Sequence, residues 1–177
     1  FQTVDKLPEG YALPTDRVKP WGTGHAIACC DSVLDGPFAV INADDFYGYD
    51  AFKTMANYLT SLPEDSKGAY CMVGYKLCNT LSDFGTVSRG ECVVDEEGNL
   101  TGMTERLGIK RVSDSKVVYE DGGEQKEIAE DATVSMNMFG FTADYFAHSE
   151  RLFREFLSQE ENMVNPKSEF FIPLAVN

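Results

Sequence analysis

The sequence predicts an α/β sandwich with a mostly parallel sheet and one antiparallel excursion, and three observations predict it. An apolar run from Phe38 to Ile41, bounded by Gly36-Pro37 and Gly48, reads as a buried strand that leads to two adjacent carboxylates, Asp44 and Asp45. Strand-like and helix-like segments alternate early in the chain, the pattern of parallel strands joined by helices. Later come two stretches of alternating character around Gly-containing turns, at Asp95-Glu96-Glu97-Gly98-Asn99 and at Asp121-Gly122-Gly123, which read as hairpins.

Taken in order, Phe1-Gln2-Thr3 reads as the tail of a strand, and Pro8, Gly10, Pro14 and Pro20 make the next stretch a loop. Gly22-Thr23-Gly24 opens an apolar run from Ala26 to Leu34 that fits a short helix with Thr23 as its N-cap. Phe52, Met55, Ala56 and Leu59 repeat at helical spacing between Tyr49 and Leu62, and Pro63 stops the pattern. Residues 68–78 read as a second buried strand. The first hairpin spans Gly85 to Glu105, and the second, Val117 to Glu127, has polar flanks that predict a solvent-exposed flap. Thr133 to Phe141 is an apolar strand interrupted by Ser135 and Asn137, polar positions that either bond neighbouring backbone or face a ligand. Thr142-Ala143-Asp144 then starts a helix that buries Tyr145, Phe146, Leu152, Phe153, Phe156 and Leu157. Residues 168–177, SEFFIPLAVN, are apolar and stop abruptly, so the 177 residues read as a single domain cut at both ends.

Composition narrows the function. Lys and Arg number 15 against 29 Asp and Glu, a formal charge of −14 that argues against nucleic acid or an anionic membrane as partner. A bound phosphate must then be met by backbone amides, a metal ion or a few placed cations. Cys29, Cys30, Cys71, Cys78 and Cys92 form no CxxC pair, and the adjacent Cys29-Cys30 suits a disulfide poorly, so a reduced, cytoplasmic protein is expected. Asp44-Asp45 by itself starts a turn or caps a helix; at the end of a strand it also suits a hard cation such as Mg2+.

In this order, FQ, KPWGTGHAI, PFAVINADDFYG, GTVSRG, GMTER and TVSMNMFGF resemble the sugar-1-phosphate nucleotidyltransferases, most of all their uridylyltransferase-like branch. The likeness runs to about Phe146. It implies a GT-A-like, Rossmann-related nucleotidyltransferase fold, a three-layer sandwich with a mixed, mostly parallel sheet. It further implies Mg2+-dependent joining of a UTP-like NTP to a sugar-1-phosphate with release of pyrophosphate, and leaves oligomerisation open. By the resemblance, Gln2, Gly22 and Thr23 contact the base; Asp44 binds Mg2+ and is catalytic; Arg106 stands near the sugar phosphate as a catalytic cation. Gly85, Glu105 and Ser135 or Asn137 contact the sugar. The family's GxGxR loop and its late second metal ligand are not found in these residues, which implies the sugar side and part of the base side of a site. A glycosyltransferase with an Asp-Asp metal site and a non-catalytic nucleotide-sugar-binding or scaffold domain are the alternatives.

Overall fold

The computed structural model describes residues 1–114 and 116–172. Helices α1 (Thr23–Ala28), α2 (Tyr49–Ser61), α3 (Tyr145–Ser158) and α4 (Glu160–Val164) accompany strands β1 (Phe38–Val40), β2 (Cys71–Lys76), β3 (Val87–Val94), β4 (Leu100–Ser113), β5 (Lys116–Asp121), β6 (Glu124–Ile128) and β7 (Thr133–Phe141). The seven strands form a sheet in the order β1-β7-β3-β4-β5-β6, with β2 also on β7.

This corrects the expected mostly parallel three-layer sandwich, because the sheet is mostly antiparallel and the helices are few. β3 with β4, β4 with β5, β5 with β6 and β3 with β7 all pair antiparallel. The physical reason lies in the turns. Gly98 (φ 87°) with Asp95, whose carboxylate accepts from both the backbone N–H and the side-chain amide of Asn99, closes the β3–β4 link. Gly122 (φ 58°) and Gly123 (φ 86°) close the β5–β6 link, and paired left-handed residues suit the twist of a two-residue hairpin. Tight turns of this kind join only antiparallel neighbours, and β4, at 14 residues, extends the meander well past Glu105.

The chain divides into two compact units, one of residues 1–38, 59–70 and from Gly140 onward, the other of Ala39–Tyr58 and Cys71–Phe139. In the first, α3 buries Tyr145, Ser149, Phe153 and Leu157 at four-residue spacing. Phe38 stacks on Phe146 with ring centroids 5.0 Å apart, and Phe153 meets Phe170 at 5.3 Å. The buried Arg17 guanidinium lies 3.4 Å over the Trp21 ring and donates to the carbonyls of Pro20, Asn165 and Ser168. In the second unit, Leu77, Ile109, Val117, Tyr119, Ile128 and Val134 form one apolar cluster.

Three local expectations are corrected. Residues 1–3 form no strand. The helix expected to run to Leu34 ends at Ala28, followed by a 3-10 turn at Asp31–Val33; Val33 is 75% exposed, so its apolarity marks no buried face. The second hairpin is only half a flap, since β5 buries Val117, Val118 and Tyr119 while residues 124–127 of β6 stay exposed. The charges of β6 guard an edge strand that would otherwise offer free backbone groups. Among the described residues no helix is long and apolar enough to cross a membrane.

Candidate functional site

In the first unit the three base-side residues are tied together through backbone and side chain. Gly22, not Thr23, is the N-cap of α1, with φ 99°. A Cβ at Gly22 would lie 2.6 Å from the Phe170 carbonyl oxygen, so both conformation and space demand glycine there. The approach is close because the 168–172 segment runs along residues 21–24: Gly24 N–H donates to Phe170 O at 2.9 Å and Phe170 N–H to Trp21 O at 2.6 Å. Thr23 is exposed, and its Oγ1 accepts from the Ile172 N–H at 3.3 Å.

Gln2 Nε2 donates to Gly22 O at 2.9 Å and to His25 Nδ1, also at 2.9 Å. The carbonyl acceptor fixes which way the Gln2 amide points, and that in turn fixes the histidine. With Nδ1 accepting, the proton sits on Nε2 and is donated to Lys6 O at 2.7 Å. His25 is 2% exposed, and burial pushes its pKa below the ordinary imidazole value. It is therefore a neutral brace, not a base. The other end of the amide, Gln2 Oε1, belongs to a half-exposed side chain and is open to solvent or a ligand.

In the second unit Asp44 and Asp45 follow β1 in a turn rather than ending the strand itself. Tyr47 holds this turn in place: its buried hydroxyl accepts from Asn42 N–H and donates to Met136 O, each at 2.9 Å. Tyr75 Oη donates to Tyr47 O at 3.1 Å. Burial raises the Tyr47 pKa, and the charges of Asp45 and Asp44 add to it. Asp45 accepts from the Asn42 side-chain amide at 2.8 Å, while Asp44 is exposed. Among the described residues no group of three or more His, Cys, Asp and Glu is placed to hold a metal. One exposed carboxylate beside a bonded one does fit Mg2+ of the kind held by one or two carboxylates plus substrate phosphates.

The sheet brings two of the residues expected on the sugar side, Glu105 and Ser135, into one row. Gly90 of β3 stands opposite Glu105 of β4 and opposite Ser135 of β7. Directly paired antiparallel residues share a face, so Glu105, Gly90 and Ser135 form a row across three strands. Glu105 keeps an exposed side chain among crowding neighbours: partial burial raises its pKa, and the charge of Arg89 pulls the other way. Ser135 is 4% exposed, and its Oγ accepts from Asn137 N–H at 3.1 Å. Asn137 itself is exposed with φ 62°, a left-handed kink in mid-strand of the sort that collects at functional sites.

Two expected residues are not brought to this row. Arg106 follows Glu105 directly and so projects from the opposite face, where its Nε donates to Glu91 at 2.8 Å and its guanidinium lies 4.5 Å over the Tyr119 ring. Gly85 sits in the exposed loop ahead of β3, with open space where a Cβ would go. Sequence reasoning passed over Gly90 and Tyr47. The one readable signal for Gly90 was a glycine inside a strand pattern, which marks a close approach; Tyr47 gave none, since a loop tyrosine shows its partners only in three dimensions. Comparison with known proteins gave no matching family model and no matching curated relative.

Proposed function

We propose that this chain carries the sugar-recognition residues, and part of the base-recognition residues, of a sugar-1-phosphate nucleotidyltransferase. The observation that carries the reading is the Glu105–Gly90–Ser135 row on one sheet face: an exposed carboxylate stands beside a glycine covered by the Met103 side chain, with the buried Ser135 on its other side. That suits a polyhydroxylated ring, which needs a charged acceptor at its edge and a shallow floor beside it. Glu105 accepts from sugar hydroxyls. Asn137, exposed and left-handed within β7, offers its amide. Gln2 Oε1 accepts from the imide N–H of a uracil-like base, in the orientation that Gly22 O and His25 impose.

Asp44 would hold Mg2+, which when bound supplies charge neutralisation on the phosphates. The reaction is attack of a sugar-1-phosphate oxygen on the α-phosphorus of the NTP with loss of pyrophosphate, and it depends on alignment and electrostatics rather than a protein nucleophile. Arg106, neutralised by Glu91 and directed away from Glu105, has no part in the sugar step in this reading; it fastens β4 to β3.

Calorimetric titration with UDP-glucose and the corresponding CDP and dTDP sugars, with and without Mg2+, tests the proposal. Saturable, Mg2+-enhanced binding of one of them is expected. Absence of binding to all three overturns it.

A further inference from the structure

The face that carries the row has an apolar component. Met103 lies two residues before Glu105 on β4, on the same face, and pairs with Cys92 of β3, two residues after Gly90. A Cβ added to Gly90 would meet Met103 Sδ at 2.8 Å and Met103 Cγ at 2.9 Å, with Ser135 Cβ at 3.5 Å. The Met103 thioether therefore lies over the backbone of Gly90, in the gap between the Glu105 and Ser135 side chains. Gly90 is buried and Met103 is half-buried. The Cys92 thiol, beside them, donates to Gly90 O at 3.4 Å and closes the floor on that side.

We infer that Met103, seated on Gly90, is the apolar floor against which the sugar ring of the ligand packs, and that this pair sets specificity for the ring. The inference rests on the nucleotidyltransferase reading above. An equatorially substituted pyranose has polar edges and C–H faces. Glu105 suits an edge, and a polarizable thioether suits a C–H face. Glycine is needed at position 90 because any larger residue would lift the thioether by the depth of a methyl group and tilt the ring away from Glu105. A polar group in place of the thioether would lose hydration against the C–H face without gaining a partner. Met103 is a positioning residue in this scheme, since no bond is made or broken on it.

The test compares UDP-glucose with UDP, both with Mg2+, by calorimetry on the whole chain. In the unsubstituted protein UDP-glucose should bind more tightly than UDP, the difference being the sugar's share. Met103→Gln should remove about tenfold of that advantage, and Gly90→Ala about fivefold, each leaving UDP affinity unchanged; Met103→Leu should stay within about threefold. In a protein labelled at its methionine methyl groups, the Met103 signal, assigned by its loss in Met103→Leu, should move with UDP-glucose and not with UDP. If UDP-glucose and UDP bind but their ratio is unaltered in Met103→Gln and Gly90→Ala, the inference falls and the broader reading stands. A drop of equal size for both ligands also overturns it, since that is a structural effect. If neither ligand binds the unsubstituted protein, the nucleotidyltransferase reading fails and takes the inference with it.

Discussion

In the proposed reading Glu105 bonds the sugar, and its removal should be felt there alone. Glu105→Ala should weaken UDP-sugar binding by about 1.5 to 3 kcal/mol, the range for a charged hydrogen bond, while the affinity for free UDP holds; equal losses for both would assign Glu105 a structural part. Gly22 makes the opposite kind of case. Gly22→Ala forces an L side chain into φ 99° and against the Phe170 carbonyl 2.6 Å away, so urea unfolding should show a loss of about 2 kcal/mol or more. His25 adds a pH dependence whose sign follows from burial. Its pKa is lowered in the folded chain, so above the unfolded value both states are neutral and no stability is at stake. As pH falls through the unfolded value of about 6.5, the unfolded state takes up a proton that the folded state refuses, and stability drops until the folded pKa is passed. The stability difference between the natural chain and His25→Leu should therefore shrink from pH 7.5 to pH 5.5. A difference that stays constant would show His25 titrating normally.

At the scale of elements, the turn that carries Asp44 depends on one hydroxyl. Tyr47→Phe removes the donor to Met136 O and leaves Asn42 N–H without its acceptor, a change worth about 1 to 3 kcal/mol for buried polar groups. Because this turn is where Asp44 sits, the same substitution should also weaken Mg2+-enhanced ligand binding; a stability loss with unaltered Mg2+ response would separate the turn from the site. The two hairpins show why local reading reached only part of the way. Gly98, Gly122 and Gly123 were legible as turns because positive φ is a property of single residues. That β5 is buried while most of β6 is not was illegible, because it depends on β5 lying between β4 and β6 while β6 is the sheet edge.

Across the whole molecule, a charge of −14 on 177 residues makes self-repulsion a standing cost of compactness. Screening shortens that repulsion to about 8 Å at physiological ionic strength, so raising NaCl from about 10 mM to about 0.3 M should raise the melting temperature. A flat or falling Tm would mean that local ion pairs such as Arg106–Glu91 outweigh the net field. In the proposed reading, a charge this negative suits phosphate recognition through a cation on Asp44 better than through a basic patch.

What the sequence determined by itself is what short-range physics determines. The apolar run 133–141 coincides with β7, the helical spacing after Tyr49 with α2, and the glycines with the turns. The Gly-Thr-Gly start of α1 and the Asp-Asp turn after β1 were likewise legible as local structure, because both are set by adjacent residues. Only the tertiary structure decided that these hairpins join one mostly antiparallel sheet, since the pairing of β3 with β7 brings together residues tens of positions apart that no local pattern encodes. It alone also decided the membership of the Glu105–Gly90–Ser135 row. Gly90 meets Glu105 and Ser135 through register, and Arg106, one residue from Glu105, is turned to the other face by the two-residue period of the same strand.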